Sequence, residues 1–368
     1  MQLLNCYSTS PFSGIGRTKE INMSTNNNRI VQFDALRVIA AYAVVLLHTS
    51  CQRYYDCYPS AEWIARNFYD SSTRWAVPIF IMISGALFLD PQKKIDIKNL
   101  FTKNITRVLL IFIAWSIIYG AYFGDEGKGI TGLIIKMVHG PYHFWFLKML
   151  IGLYVYVPIL RVIVANKKME QYFICLLLVT AFVIPMLFPI IGHFSDYVRG
   201  LTEKYYDEFE IKNASGYIGY FVLGHYLNHT IVKGTVKNTI YFLGVTSVIA
   251  VSTFTHAISN HVGSPDVFLY DYLNLFTLFE ALAFYLFIKG IKIAPKYHRF
   301  IISASKLSLG IYIIHPLIIT IVFDLWKIDS ALLNPIIFIP VFAVLIFGAS
   351  YAVIYTLSKI PLINKIVI

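Results

Sequence analysis

The chain alternates between long apolar stretches and short polar connections from about residue 30 to its end. A helix needs roughly 20 apolar residues to cross the hydrocarbon core of a bilayer, and by that criterion the pattern predicts about ten transmembrane helices. They lie at about 33–51, 74–90, 106–124, 143–162, 171–192, 214–229, 237–256, 270–290, 306–325 and 334–358. The predicted fold class is therefore all-α, a polytopic integral membrane helical bundle that has the lipid bilayer as its partner.

Composition supports this prediction and excludes several other classes of protein. The chain is 57% hydrophobic and 14% charged, which argues against a disordered chain and an ordinary soluble domain. Its net charge of +11 is spread thinly between apolar segments, so we expect no nucleic-acid partner. No Cys/His spacing predicts a metal site, and we expect none. Cys51 and Cys57 lie in one short loop, where they either form a disulfide or remain two free thiols.

The distribution of Lys and Arg predicts the orientation in the membrane. With the N terminus inside, twenty of the 31 basic residues fall in inner segments and nine in outer segments. Both termini are therefore predicted to be cytoplasmic. Residues 1–29 are polar and lack the features of a signal peptide, so we interpret them as a flexible cytoplasmic tail, with Met23 as an alternative start. Residues 30–368 form the predicted membrane domain.

Three ionisable residues lie in the first predicted helix, where such residues are costly and often functional. Asp34 and Arg37 are three positions apart and lie on one stripe. His48 follows Arg37 by eleven positions, which leaves an angular offset of about 20° and an axial separation of about 16 Å. Neutral imidazole can accept a proton from a hydroxyl, and a guanidinium binds phosphate oxygens. Each residue alone has a structural explanation, but the shared stripe favours chemistry.

Four ordered stretches resemble the acyltransferase-3 family of integral membrane O-acyltransferases. Residues 33–40 read Phe-Asp-Ala-Leu-Arg-Val-Ile-Ala and lead to His48, so that an Arg and a His are separated by ten residues in the first helix. Residues 78–85 read Pro-Ile-Phe-Ile-Met-Ile-Ser-Gly and resemble the second helix. The stretches 143–158 and 307–316 resemble a later helix and the region near the C terminus. The resemblance extends from about residue 30 to the end.

The resemblance implies transfer of an acetyl group from cytoplasmic acetyl-CoA to a hydroxyl of an envelope glycan or lipid-linked saccharide. It implies that His48 is the catalytic base and that Arg37 supports the cofactor site. We place Arg37 and Asp34 with His48 in the catalytic set because all three lie on one stripe of the first helix. It also implies location in the bacterial inner membrane. In length the chain resembles the stand-alone subgroup, similar to the O-acetyltransferase that modifies enterobacterial common antigen.

Further candidates lie near both ends of the bundle. Lys103 and Arg107 begin the third helix at the inner face, where they either bind cofactor phosphates or anchor the helix by the positive-inside rule. His143 and Trp145 stand at the outer entrance of the fourth helix and either contact the acceptor or belong to an interfacial aromatic belt.

Two further ionisable groups remain open from sequence. Glu280 lies in the middle of the eighth helix and could contact substrate, pair with Lys148 or orient His48. His315 is a second possible base, although Pro316 after it indicates a kink with a structural role. We found no GxSxG motif, which favours direct transfer without an acylated serine.

A second class of function fits many helices with internal charges, namely a transporter or exporter of a polysaccharide or lipid-linked glycan. Such proteins often consist of two similar halves, and we found no internal repeat in this chain. A sensor or scaffold would leave the polar stripe of the first helix without a reason. Oligomeric state, acceptor and acyl group are not determined by the sequence.

Overall fold

The computed structural model describes residues 30–124, 129–187, 216–326, 334–361 and 364, so that the predicted tail 1–29 lies outside the described residues. The helices are α1 (Val31–Ser50), α2 (Ala61–Ser71), α3 (Ala76–Phe88), α4 (Thr106–Phe123), α5 (Gly129–His139), α6 (Trp145–Val164), α7 (Lys167–Leu177), α8 (Ile218–His229), α9 (Gly234–Val262), α10 (Leu275–Lys289), α11 (Pro295–Trp326) and α12 (Pro335–Leu357). Shorter turns are α-helical at Ile97–Asn99, π-helical at Leu100–Ile105 and Leu178–Val183, and 3₁₀ at Tyr142–Phe144 and Phe268–Tyr270.

The all-α fold class is confirmed, since the described residues contain helices and no strand. Nine helical stretches in that part of the chain are long and apolar enough to cross a bilayer. They correspond to nine of the ten predicted segments. The described part of the remaining segment, predicted at 214–229, forms α8 with 12 residues.

The second crossing stretch begins well before the predicted residue 74, because α2 continues almost directly into α3 over Ala61–Phe88. Hydropathy misses α2 because it carries buried polar side chains. Arg66 is 1% exposed, pairs with Glu62, and donates hydrogen bonds to the carbonyls of Thr49 and Ser50 at the end of α1. These carbonyls have no partner within their own helix, so α2 satisfies the C terminus of α1.

Helix α1 lies at the centre of the bundle and packs against α2, α3, α10, α11 and α12. Its buried residues belong to one apolar core that includes residues from α3, α4, α6, α8, α10, α11 and α12. A polar side chain on α1 is therefore surrounded by protein on most sides. Because of this central position, the stripe of Asp34, Arg37 and His48 faces neighbouring helices.

Helices α3 and α8 cross with their backbones in contact. The crossing occurs where Gly85 faces the carbonyl of Phe221 and Gly224 faces the carbonyl of Met82. A Cβ atom on either glycine would overlap that backbone. Small residues allow membrane helices to approach this closely.

Candidate active site

The inner part of the α1 stripe is tied to α11. Asp34 is 2% exposed and accepts a hydrogen bond of 2.6 Å from the Ser305 hydroxyl. Arg37 Nη1 lies 3.7 Å from Asp34 Oδ1, and its side chain is about a quarter exposed. The predicted pair of Asp34 and Arg37 therefore exists, and Asp34 orients the guanidinium while joining two helices.

At the outer end of α1, His48 meets two side chains that are distant in sequence. Its Nδ1 atom lies 3.1 Å from His315 Nε2 and 3.0 Å from the Tyr142 hydroxyl. The rings of His48 and His315 are 4.9 Å apart between centroids. The two bases that the sequence offered as alternatives thus form one pair.

The hydrogen bonds of His315 determine which nitrogen of His48 carries a proton. His315 Nδ1 lies 3.2 Å from the Ile311 carbonyl, which can only accept a hydrogen bond. A neutral His315 with a proton on Nδ1 has a lone pair on Nε2, so His48 Nδ1–H must donate to it. His48 Nε2 then keeps its lone pair. A charged His315 would be costly, because its side chain is fully buried.

Pro316 interrupts the hydrogen-bond ladder of α11 next to His315. Pro316 has no N–H for the carbonyl of Tyr312. In a regular helix the Leu317 N–H would donate to the Ile313 carbonyl. Here the Tyr119 hydroxyl is inserted between them: it donates to the Ile313 carbonyl at 2.7 Å and accepts from the Leu317 N–H at 3.2 Å. A side chain inserted into the helical ladder is a recognised cause of kinks. Tyr119 thereby fixes the part of α11 that carries His315.

His143 lies beneath Tyr142 and is 1% exposed. Its Nε2 donates to the Ile313 carbonyl at 3.1 Å, and its backbone carbonyl accepts from the Tyr312 hydroxyl. Its Nδ1 has no hydrogen-bond partner among the described residues. The neighbouring Tyr142 is 68% exposed and directly contacts His48. The predicted role of His143 in acceptor contact remains a prediction.

Trp145 belongs to an aromatic group at the same end of the bundle. Its ring stacks on Tyr272 and lies beside Tyr217, with 5.5 Å between centroids in both pairs. Tyr272 in turn lies 5.8 Å from the Arg74 guanidinium. Trp145 is thus part of the wall around the outer end of the bundle, and a contact with acceptor stays a prediction.

Two of the predicted cofactor-site cations lie near the same tyrosine at the inner end. Tyr154 on α6 is buried and lies within electrostatic range of Arg37 and Arg107. Arg107 is exposed at the start of α4, and Lys103 is exposed in the preceding π-helical turn. Arg37 and Arg107 therefore share Tyr154 as a neighbour, whereas Lys103 is exposed in the turn before α4.

Glu280 is 3% exposed on α10, and neither carboxylate oxygen has a hydrogen-bond partner among the described residues. It lies within electrostatic range of Asp70 and Arg74. Lys148, which the sequence offered as its partner, instead donates to the His139 carbonyl at 3.1 Å and lies over the Phe112 ring. The remaining roles considered for Glu280 stay open predictions.

Sequence reasoning missed Tyr142, Tyr119 and the pair of Asp70 and Arg74. Asp70 is 1% exposed, and both of its oxygens are engaged, by Arg74 and by the Cys51 thiol. Cys51 and Cys57 are both free thiols. An Asp and an Arg four positions apart, directly before an apolar run, could have indicated a buried ion pair. No comparable signal distinguishes Tyr119 or Tyr142 among 26 tyrosines.

Comparison with known proteins identifies one family. A family model described as an acyltransferase domain matches residues 30–355 of the chain. No curated protein and no solved structure matches the chain.

Proposed function

The chain belongs to the acyltransferase-3 family and is a multi-pass membrane acyltransferase, and from this premise we propose that it transfers an acetyl group from acetyl-CoA to a glycan hydroxyl. The acceptor is a cell-envelope glycan or a lipid-linked saccharide, and the protein resides in the bacterial inner membrane. The stand-alone subgroup that resembles the enterobacterial common antigen O-acetyltransferase is part of this proposal. The exporter alternative has no comparable support from the family match.

The observation that carries the proposal is the pairing of His48 with His315. His315 Nε2 accepts a hydrogen bond from His48 Nδ1–H. The proton of His48 is therefore on Nδ1, and its Nε2 lone pair is available to accept another proton. His48 is partly exposed, in contrast to the fully buried His315. We therefore assign His48 as the general base and His315 as the residue that orients it.

In the proposed reaction, His48 Nε2 accepts the proton of the acceptor hydroxyl while the hydroxyl oxygen attacks the thioester carbonyl carbon. The carbon–sulfur bond then breaks, the acetyl group remains on the acceptor oxygen, and the CoA sulfur leaves with the proton that His48 had accepted. The products are an O-acetylated glycan and CoA with a free thiol. No covalent enzyme intermediate is required.

Tyr142 is the proposed donor to the oxyanion that forms on the carbonyl oxygen. Because His48 Nδ1 already carries a proton, the Tyr142 oxygen can only accept from it. The phenolic hydrogen of Tyr142 is then available to another acceptor beside His48. A hydrogen-bond donor at the position where negative charge develops is among the strongest contributions to acyl transfer.

The inner end of α1 suits the charged part of the donor. Arg37 and Arg107 both lie near Tyr154, and a guanidinium remains charged and binds phosphate oxygens with two donors. Asp34 orients Arg37 from the buried side. At 1.5 Å per residue the eleven positions between Arg37 and His48 span about 16 Å, so the phosphates and the thioester would lie at opposite ends of one helix.

The experiment compares His48→Ala with His261→Ala, which replaces an exposed histidine on α9. We expect acetyl transfer from acetyl-CoA by the purified His48→Ala protein to fall at least about 10²-fold, since a general base contributes that much, while His261→Ala retains it. Both variants should accumulate in the membrane as the unsubstituted protein does.

Mass spectrometry of surface polysaccharides provides the second measurement. Acetylated glycan should be absent from cells that carry only His48→Ala. Acetylated glycan at the normal level in those cells would exclude His48 as the base. Loss of the glycan itself from the surface, rather than of its acetyl groups, would favour the exporter.

A further inference from the structure

A second feature at the outer end of the bundle is a pocket of about 470 Å³. We call it the outer pocket, and its walls come from the segment after α1, from α2 and its junction with α3, and from the segment before α10. Its lining includes Cys51, Tyr55, Asp70, Arg74, Phe268 and Asp271. A pocket of this size, mostly apolar with a few polar groups, is typical of a small-molecule site.

The outer pocket adjoins the candidate active site. Cys51 follows His48 by three positions, which is about 4.5 Å along a helix axis. Arg74 lies within electrostatic range of His48, and Cys51 lies within electrostatic range of Tyr142. The outer pocket therefore lies close to the proposed base and the proposed oxyanion donor on the predicted outer side.

The inner wall of the outer pocket is held rigidly. Arg74 pairs with Asp70, donates to the Tyr270 carbonyl at 3.0 Å, and lies 4.2 Å from the Tyr270 ring centroid. The Tyr270 hydroxyl donates to Asn67 Oδ1 and accepts from the Tyr54 hydroxyl. The ion pair of Arg74 and Asp70 and the hydroxyls of Tyr270 and Tyr54 are therefore engaged within the protein. They shape the wall of the pocket, and a ligand would be recognised by the exposed lining residues.

The exposed lining includes aromatic rings and one carboxylate. Tyr55 is 63% exposed, Phe268 is partly exposed, and Asp271 is exposed with Oδ1 accepting from the Leu273 N–H. Aromatic rings offer flat apolar faces that suit the C–H face of a sugar ring, and a carboxylate accepts hydrogen bonds from hydroxyls.

The charge of the lining selects among saccharides. Because Arg74 neutralises Asp70, the remaining charge belongs to Asp271. A carboxylate attracts an ammonium group and repels another carboxylate. We propose that the outer pocket binds the acceptor glycan, and that it takes a neutral or amino sugar in preference to an acidic one.

This inference rests on the proposed function, so the first measurement does not depend on acetyl transfer. Saturation-transfer NMR of the purified protein would use free glucosamine, N-acetylglucosamine and glucuronic acid as probes. We expect transfer to the first two sugars and little to glucuronic acid. A stronger signal from glucuronic acid, or no signal from any of the three, would overturn the assignment.

Two pairs of variants test the residues of the outer pocket. Tyr55→Ala and Asp271→Asn alter the pocket, whereas Tyr122→Ala and Asp56→Asn alter an exposed tyrosine and an exposed aspartate that do not line it. We expect the first pair to lose the NMR signal and to raise the acceptor KM about tenfold, with kcat and the KM of acetyl-CoA unchanged. The second pair should behave as the unsubstituted protein does.

The outcomes separate this inference from the proposed function. Sugar binding that depends on Tyr55 and Asp271, without acetyl transfer to any glycan, would support the pocket and contradict the acetyltransferase. Acetyl transfer with an unchanged acceptor KM in both pocket variants would support the enzyme and overturn the pocket.

Discussion

At the level of single residues, the hydrogen bonds around His48 determine what this side chain can do. A histidine in a membrane helix could equally serve as a structural hydrogen-bond donor. Here the chain from the Ile311 carbonyl through His315 to His48 fixes the positions of the protons. The second histidine thus turns a polar residue into a defined proton acceptor.

Substitution of His315 tests this arrangement. In His315→Ala the proton of His48 Nδ1 loses its acceptor, so we expect kcat to fall about 10²-fold with little change in the KM of acetyl-CoA. In His315→Gln the amide can donate to the Ile311 carbonyl and its oxygen can accept from His48, so we expect activity within about tenfold of the original.

Protein abundance and the pH profile of kcat should be measured for both His315 variants. A purely structural role would lower the amount of folded protein without moving the pH profile. Equal activities in the Ala and Gln variants would contradict the orienting role.

Tyr142 supports a separate prediction. Tyr142→Phe keeps the ring beside His48, 5.4 Å between centroids, and removes only the hydroxyl. If that hydroxyl stabilises the oxyanion, kcat should fall about 10²- to 10³-fold while both KM values stay nearly constant. Tyr156→Phe, an exposed tyrosine on α6, is the control. Normal turnover by Tyr142→Phe would remove this residue from the reaction.

At the level of helices, two devices hold the site together. The Tyr119 hydroxyl bridges the interrupted ladder of α11, and the glycines of α3 and α8 let these helices touch. Neither device belongs to the chemistry. Both determine whether the elements that carry the chemistry can meet.

The crossing of α3 and α8 gives a prediction on stability. In Gly85→Ala the added Cβ would overlap the Phe221 carbonyl, and backbone atoms cannot move aside as a flexible side chain can. We expect the free energy of unfolding to fall by about 1–3 kcal/mol or more, which would lower the melting temperature of the protein in detergent. Gly348→Ala on α12 meets nothing within 4 Å and should be neutral or slightly stabilising. Equal melting temperatures in the two variants would contradict the close crossing.

At the level of the whole molecule, the proposed function assigns the two ends of α1 to different compartments. The cations lie toward the predicted cytoplasmic end, and the histidine pair and the outer pocket lie toward the predicted outer end. The proposed reaction therefore takes its donor from one side and its acceptor from the other. The orientation of the bundle is essential to that division.

Accessibility of single cysteines tests the orientation. In a variant whose native cysteines are replaced by serine, Tyr55→Cys should react with a membrane-impermeant thiol reagent in intact cells. Lys94→Cys, which lies in the exposed segment after α3, should react only after the cells are opened. The reverse pattern would place the donor and acceptor ends on the wrong sides of the membrane.

The sequence by itself determined that the chain resides in a lipid bilayer, that its fold is all-α, and that the first helix carries a polar stripe. Hydropathy and helical periodicity are properties of neighbouring residues, so the all-α bundle and the facing positions of Asp34, Arg37 and His48 follow from the chain alone. The matched family was reached in the same way, because its motifs are short ordered stretches.

Only the tertiary structure decided the partners of those residues. His315 is 267 positions from His48, and Tyr142 is 94 positions from it, and no periodicity connects residues across separate helices. The same reason explains why hydropathy misses α2. Its buried Arg66 donates to the carbonyls of Thr49 and Ser50, and its buried Asp70 accepts from Arg74 and the Cys51 thiol. Contacts between helices depend on how the bundle packs. That packing gave Asp34 and Arg37 their partners at one end of α1, and it placed His315 and Tyr142 beside His48 at the other end.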